Sequence, residues 1–189
     1  MNDLFTAALE FQEFFERQRW EFCFIGGLAY IRWGIPRMTQ DIDVSLFTGF
    51  GNEKDIINLL LDSFDSRLTD AESFALSNRI LLLFSSKNVK VNSALAALPF
   101  EKQMMHRASK YEFATDCVLL TCSAEDLVIQ KAFANCHQDW ADVENVINKQ
   151  SNKLDTKYIV QQLEPLSKAK ETPEIMTKLE NLFKIKTNL

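Results

Sequence analysis

Apolar residues follow two different spacings in the first part of the chain. Residues 3–18 carry an apolar residue every three or four positions, with glutamates between them, which predicts an amphipathic helix. Residues 20–25 (WEFCFI) and 42–47 are rich in aromatic and β-branched residues, which favours strands. Between these strands Gly26-Gly27 interrupts the pattern, and a short helix is predicted to start there.

The same two spacings continue to the C-terminus, where helical patterns replace strands. The further predicted elements are a helix at 53–64, strands at 78–85, 89–93, 111–114 and 118–120, helices after Pro99 and after Ser123, and helices at 139–149, 155–164 and 172–186. Ser123 is followed at the third position by Asp126, a pattern typical of a capped helix start. The order predicts an α+β, or mixed α/β, fold in which residues 1–122 hold a small sheet and residues 123–189 a helical bundle.

Composition narrows the function without assigning it. The net charge of −5 argues against a protein whose main task is to cover nucleic-acid phosphates. No apolar run approaches the roughly 20 residues that cross a bilayer, and the first residues carry acids where a signal peptide carries Lys or Arg. We therefore expect a cytoplasmic protein with no membrane partner.

The cysteines form no CxxC pair. A zinc site built from Cys122, Cys136 and His137 has a spacing that fits no usual ligand pattern, so buried reduced thiols are the better interpretation.

Two aspartates stand out in the second predicted strand. Asp41 and Asp43 are two positions apart and project from one face, while Ile42 and Val44 project from the other. Two neighbouring carboxylates repel each other unless a cation lies between them, and Mg²⁺ prefers such oxygen ligands. The alternative is an exposed edge strand whose acids only face water.

Gly26 and Gly27 lie where a strand passes into a helix. The unpaired N–H groups of a helix start attract anions, and glycine allows a phosphate to approach the backbone closely. The stretch does not match G-x-G-x-x-G, which excludes a Rossmann fingerprint. A glycine turn followed by a strand with paired aspartates instead places a phosphate-binding turn beside a metal-binding carboxylate pair, which is the minimum that phosphoryl transfer requires.

These residues carry a family resemblance. Residues 26–43 (GGLAYIRWGIPRMTQDID) resemble the active-site entry of the polymerase-β-type nucleotidyltransferase superfamily, nearest to the bacterial AbiEii-like toxins and minimal nucleotidyltransferases. The resemblance implies a small mixed sheet with flanking helices and a C-terminal helical part. It also implies that Gly26 and Gly27 hold an NTP triphosphate, and that Asp41 and Asp43 bind the catalytic Mg²⁺ (or Mn²⁺).

Two polar residues lie between the glycines and the aspartates. By resemblance the positive charge of Arg37 lies over the triphosphate or the acceptor. The alternative is that Arg37 forms a surface salt bridge. Thr39 belongs to the same motif, and we expect it to tighten the turn into the strand through a local backbone hydrogen bond.

A second matching block covers residues 123–147 (SAEDLVIQKAFANCHQDWADVENVI). By resemblance Lys131 contacts the nucleotide phosphates. Asp139 and Asp142 lie on the next helix, facing the cleft that this helical region walls, and are expected to be further nucleotide-binding residues. For Lys131 the alternative is a solvent-facing lysine. For the two aspartates it is helix capping or solvent exposure.

One position departs from the family pattern. The superfamily commonly supplies a third carboxylate from a later strand, and this chain has Asn92 at the matching position. Asparagine offers a carbonyl oxygen but no charge. Three interpretations follow: a reduced metal site, another acid such as Asp116 or Glu72 filling in, or weakened or lost catalysis.

The sequence therefore predicts a Mg²⁺-dependent transferase that moves a nucleoside monophosphate from an NTP to an acceptor hydroxyl. The acceptor is tRNA, a protein or a small molecule, and a toxin-like role implies a possible antitoxin partner. The alternative is a catalytically weakened protein of the same fold that binds a nucleotide or a partner.

Overall fold

The computed structural model describes residues 2–187, with side chains through residue 184. In chain order the elements are α1 (Asp3–Gln18), β1 (Phe22–Phe24), α2 (Gly26–Trp33), β2 (Asp41–Phe47), α3 (Glu53–Ser63), α4 (Ala71–Asn78), β3 (Ile80–Phe84), β4 (Lys90–Ala96), α5 (Pro99–Arg107), β5 (Ser109–Ala114), β6 (Cys117–Thr121), α6 (Ala124–Ala134), α7 (His137–Gln150), a single 3₁₀ turn (Ser151–Lys153), α8 (Thr156–Ala169) and α9 (Glu174–Thr187).

The strands form one six-stranded mixed sheet in the order β3-β4-β2-β1-β6-β5. β2 lies inside it, antiparallel to β1 and parallel to β4, and the remaining neighbours include both parallel and antiparallel pairs. A strand in this position has its backbone groups paired on both sides, so its side chains are held at a defined register. The predicted fold class, a mixed sheet with flanking helices, is confirmed.

The chain divides into two compact units. The first comprises residues 1–28 and 38–122 and contains the whole sheet. The second comprises residues 29–37 and 123–189, so the end of α2 belongs with the C-terminal helices although it is distant from them in sequence.

Aromatic residues of α1 build much of the core of the first unit. Phe11 and Phe15 are fully buried, and the ring of Phe11 stacks on Phe64 at a centroid distance of 4.0 Å. The Gln12 side chain joins α1 to β6, because it donates to Val118 O and accepts from Leu120 N, each at 2.9 Å. The apolar stripe and one buried amide thus hold the helix against the sheet.

The second unit begins with the predicted cap. Ser123 Oγ accepts from the backbone N–H of Asp126 at 3.1 Å, which confirms the helix start. Tyr158 on α8 donates to the buried Asp126 carboxylate at 2.8 Å, which links α8 to α6. Of the helices in the described part of the chain, none is long and apolar enough to cross a membrane.

Several predicted elements differ from the structure. Helix α4 was not predicted, because only Ala71 and Ala75 are buried in it and it has no apolar stripe. The helix predicted to end at 164 continues through Pro165 to Ala169. Not every cysteine is buried: Cys136 is exposed, whereas the other three are buried.

Candidate functional site

Strand β2 presents both aspartates on one face, as the alternation predicted. Ile42 and Val44 are fully buried, while Asp41 and Asp43 are only half-buried. The strand is therefore anchored by its apolar residues, and its carboxylates are carried at a fixed two-residue spacing on the more open face.

The pairing of β1 with β2 brings Gly26 against Asp43. Phe24 is the register partner of Val44, and Ile25 N donates to Asp43 O at 2.9 Å. Gly26, the next residue, starts α2 with φ +53°, and a Cβ there would lie 2.2 Å from Asp43 Oδ2. Both the backbone conformation and the lack of space favour glycine at this position.

Gly27 and Thr39 make a second close contact in the same region. A Cβ on Gly27 would lie 2.4 Å from Thr39 Oγ1. Thr39 Oγ1 donates to Asp41 O at 3.2 Å, so the expected local hydrogen bond at the start of β2 is present. The start of α2 and the start of β2 are thus packed without space for a further side chain.

Asn92 lies beside Asp43 on the neighbouring strand. The two residues are register partners in the parallel pair of β2 and β4, and Asn92 Nδ2 donates to Asp43 Oδ1 at 2.9 Å. Arg67 Nη1 in turn donates to Asn92 Oδ1 at 2.7 Å. Arg67 was not predicted as a site residue, because it lies between α3 and α4 in no recognisable motif and no local signal identifies it.

The two aspartates fit a divalent cation that retains water and phosphate ligands. Asp43 Oδ1 is engaged by Asn92, whereas Asp41 has no side-chain partner within residues 2–187. In that same part of the chain, no group of three or more His, Cys, Asp and Glu side chains is arranged to hold a metal. Mg²⁺ is commonly held by one or two carboxylates together with substrate phosphates, so this pair is sufficient for it.

The other acids considered from the sequence lie on different elements. Glu72 on α4 is paired with Lys54 at 3.0 Å. Asp116 lies in the turn between β5 and β6 with φ +61°, at the opposite edge of the sheet from β3 and β4. Neither belongs to β2 or β4.

The second unit contains the remaining predicted residues in one ion-pair cluster. Lys131 Nζ on α6 lies 2.9 Å from Asp139 Oδ1 and 2.7 Å from Asp142 Oδ2, both on α7. The side chain of Lys131 is 10% exposed and that of Asp142 only 1%. Lys131 is thus buried between carboxylates and does not face solvent.

Arg37 completes this cluster. Its Nη2 donates to Asp142 Oδ2 at 3.0 Å, and its guanidinium lies 5.1 Å from the centroid of the Tyr30 ring. The side chain remains 43% exposed. The salt bridge weighed from the sequence is therefore present, and its partner is a buried carboxylate.

The charged groups of this cluster shift one another's pKa values. Burial lowers the pKa of Lys131, but its hydrogen bonds to Asp142 and Asp139 outweigh this, and the pKa is raised above its usual value. Burial likewise raises the pKa of Asp142, yet the hydrogen bonds from Arg37 and Lys131 bring it below the usual value. The hydrogen bond to Asp142 raises the pKa of Arg37. Arg37, Lys131 and Asp142 are therefore charged at neutral pH.

Solved structures of the same fold include several nucleotidyltransferases. An antigenic nucleotidyltransferase-like protein from Paracoccidioides brasiliensis is similar over 94% of this chain and 92% of its own, with a TM-score of 0.52 and 14% identity. The lincosamide antibiotic adenylyltransferase LnuA, solved with lincomycin bound, covers 75% of this chain and 94% of its own, with a TM-score of 0.51 and 12% identity. The antibiotic-resistance factor ANT(2'')-Ia covers 94% and 96%, with a TM-score of 0.53 and 10% identity.

No curated protein matches this chain. A family model described as "Nucleotidyltransferase of unknown function (DUF6036)" matches residues 2–181, nearly the whole sequence. The match includes the glycine turn, the paired aspartates of β2 and the cluster around Lys131. The chain therefore belongs to this nucleotidyltransferase family.

Proposed function

We propose that this chain transfers a nucleoside monophosphate from an NTP to an acceptor hydroxyl, with Mg²⁺ or Mn²⁺ bound by Asp41 and Asp43. One observation carries the proposal: both carboxylates leave the same face of β2, and Asp43 lies against Gly26, the first residue of α2. Membership in a nucleotidyltransferase family supports the reaction class.

The paired aspartates and the start of α2 would have different roles in the transfer. The bound cation would offset the negative charge of the phosphates and of the two carboxylates. The unpaired N–H groups at the start of α2, where Gly26 and Gly27 lie, would favour the negative charge of a phosphate. The acceptor oxygen bonds to the α-phosphorus as the bond to pyrophosphate breaks, and the hydroxyl proton is released.

Lys131 and Arg37 are proposed to contact phosphate or acceptor. An ammonium group has three donors, and two of those of Lys131 point to Asp139 and Asp142, which leaves one for a ligand. Arg37 uses Nη2 for Asp142 and keeps much of its guanidinium exposed. In this proposal Asp139 and Asp142 act on the nucleotide by holding Lys131 and Arg37 in position.

We propose a small-molecule hydroxyl as the first acceptor to test. LnuA, which shares the fold, is described as an antibiotic adenylyltransferase with lincomycin bound. The net charge of −5 weighs against a large RNA acceptor. The AbiEii-like subgroup, a toxin role, an antitoxin partner and a cytoplasmic location remain predictions from the sequence.

A label-transfer assay tests the reaction. The purified chain is incubated with each α-labelled NTP and Mg²⁺ or Mn²⁺, together with tRNA, cell protein or a panel of hydroxyl-bearing small molecules. We expect label on one acceptor class and its loss in Asp41→Asn and Asp43→Asn. The Lys90→Ala variant is the matched control, since Lys90 is exposed and is the register partner of Asp41. Equal transfer by the Asp41→Asn variant would contradict the proposal.

Asn92 favours a second candidate, a protein of this fold that binds nucleotide without transferring it. It stands where the superfamily commonly has a third acid, and its carbonyl oxygen is engaged by Arg67. This candidate predicts stabilisation by NTP and Mg²⁺, about 2.7 kcal/mol at 100-fold excess over Kd, with no transfer. Transfer that appears in Asn92→Asp but not in the unaltered chain would favour it, whereas transfer by the unaltered chain would exclude it.

A further inference from the structure

The orientation of the Asn92 amide follows from its two partners. A guanidinium can only donate hydrogen bonds, and an ionised carboxylate can only accept them. An amide placed between them must turn its oxygen to the arginine and its nitrogen to the aspartate. This is the observed arrangement: Arg67 donates to Asn92 Oδ1 at 2.7 Å, and Asn92 Nδ2 donates to Asp43 Oδ1 at 2.9 Å.

The backbone around Arg67 holds this residue in place. Arg67 N donates to Leu82 O at 3.0 Å, and the adjacent Ser66 forms an isolated bridge with Leu83. Leu82 is the register partner of Asn92, which is the register partner of Asp43. Arg67, Asn92 and Asp43 therefore belong to one row across the sheet, each fixed by main-chain pairing.

The other oxygen of Asp43, Oδ2, lies beside Gly26. Oδ2 lies so close to Gly26 that a Cβ there would approach it to 2.2 Å. One oxygen of Asp43 is thus bound by the amide and the other is directed toward the start of α2. Asp41 has no comparable support, since no side chain of the described residues pairs with it.

We propose that Arg67 and Asn92 are positioning residues for Asp43, which fix the rotation of its carboxylate so that Oδ2 is the oxygen that meets a divalent cation. Asn92 does not itself act as a ligand, because its carbonyl oxygen is turned to Arg67. The inference rests on the proposed metal site of Asp41 and Asp43. In this inference the site has two carboxylates, and the orientation of one of them, that of Asp43, is fixed by Arg67 through the Asn92 amide.

The charge of Arg67 makes the inference sharply testable. If Arg67 acted only as a nearby positive charge, its removal would strengthen the binding of a divalent cation. If Arg67 positions Asp43, its removal weakens binding despite the loss of that charge. Lys90 gives the matched control, because it lies on β4 two residues before Asn92, projects from the same face and is exposed.

The experiment measures binding of Mn²⁺ alone to the full chain by titration calorimetry and by the electron paramagnetic resonance signal of free Mn²⁺. We expect Asn92→Ala to weaken binding about tenfold, a typical effect for a residue that orients a metal ligand. Arg67→Ala should weaken it by a smaller factor, Arg67→Lys should restore part of the loss, and Lys90→Ala should leave affinity unchanged or slightly higher. Thermal melting without metal checks that each variant is folded.

The outcomes separate this inference from the proposed function. Tighter or unchanged Mn²⁺ binding in both Arg67→Ala and Asn92→Ala overturns the positioning role while leaving the metal site standing. A lower melting temperature with unchanged Mn²⁺ affinity also overturns it, because the row would then be structural only. Mn²⁺ binding in the unaltered chain that equals that of Asp41→Asn/Asp43→Asn overturns the metal site itself and both proposals with it.

Discussion

Replacing Gly26 by alanine tests how tightly the glycine turn is built against the paired aspartates. Gly26 has φ +53°, and an added Cβ would lie 2.2 Å from Asp43 Oδ2 and 2.8 Å from Asp43 Cβ. The carboxylate end of Asp43 could rotate away. Its Cβ could not, because Asp43 is held in β2 and its backbone oxygen accepts from the N–H of Ile25, the residue before Gly26. The alanine therefore cannot be accommodated by a side-chain rotation alone.

The expected cost has two parts. A left-handed backbone conformation costs a non-glycine residue about 1–2 kcal/mol. Overpacking against a fixed neighbour costs about 1–3 kcal/mol more. Together we expect Gly26→Ala to lower the free energy of unfolding by about 2–5 kcal/mol.

Gly49 provides the control, because an alanine there has the cost of the left-handed conformation without the cost of overpacking. Its φ is +68°, and a Cβ there would meet nothing within 4 Å. Gly49→Ala should cost only about 1–2 kcal/mol. The difference between the two variants therefore isolates the contact with Asp43.

Urea unfolding followed by circular dichroism gives both free energies. The double variant Gly26→Ala/Asp43→Ala removes the Oδ2 contact and should recover about 1 kcal/mol of the loss, since contacting residues are usually coupled by 0.5–3 kcal/mol. Equal costs for Gly26→Ala and Gly49→Ala, or additive costs in the double variant, would refute the reasoning.

Three further outcomes concern the second unit, each measured by urea unfolding. Lys131→Met leaves the buried Asp142 with one cationic partner fewer and should lower the free energy of unfolding by about 3 kcal/mol. This is at the low end for a broken buried pair, because Arg37 still donates to Asp142. A loss below about 0.5 kcal/mol would contradict the buried pairing. The pKa of Asp142 is lowered by folding, so its stabilisation is complete above the ordinary aspartate pKa of about 3.9 and is lost as the pH falls toward the lower folded value. The stability difference between the unaltered chain and Asp142→Asn should accordingly be constant near neutral pH and shrink below about pH 4, and a difference that grows on acidification would contradict this sign. Ser123→Ala removes the cap of α6 and should cost about 1 kcal/mol, with Ser73→Ala as an exposed control that caps no helix.

The ion-pair cluster and the metal site respond to different changes, which allows them to be tested separately. Lys131, Asp139 and Asp142 act on stability through buried charge, so their variants should leave Mn²⁺ affinity unchanged. Asp41 and Asp43 should show the reverse, with a large effect on Mn²⁺ binding. If an Asp142 variant altered Mn²⁺ affinity as much as an Asp43 variant did, the division of roles proposed here would be wrong.

Local elements of the candidate site could be predicted because they depend on a few consecutive residues. The alternation of Ile42 and Val44 with Asp41 and Asp43 defines a strand with one apolar and one acidic face, and this is what β2 shows. Ser123 marks a helix start for a similarly local reason. Where the local pattern is weak, prediction failed: α4 buries only two alanines, so its sequence has no periodic signal.

What the sequence by itself determined is therefore the paired carboxylates, the glycine turn before them and the order of the helices and strands other than α4, because strand alternation and helix periodicity are properties of the local backbone. Only the tertiary structure decided what surrounds those carboxylates. Asn92 meets Asp43 through the register of two strands 49 residues apart, and Arg67 reaches Asn92 across 25 residues. Arg37 meets Asp142 across 105 residues. Such contacts depend on how distant segments pack and pair, and no spacing within one segment encodes them.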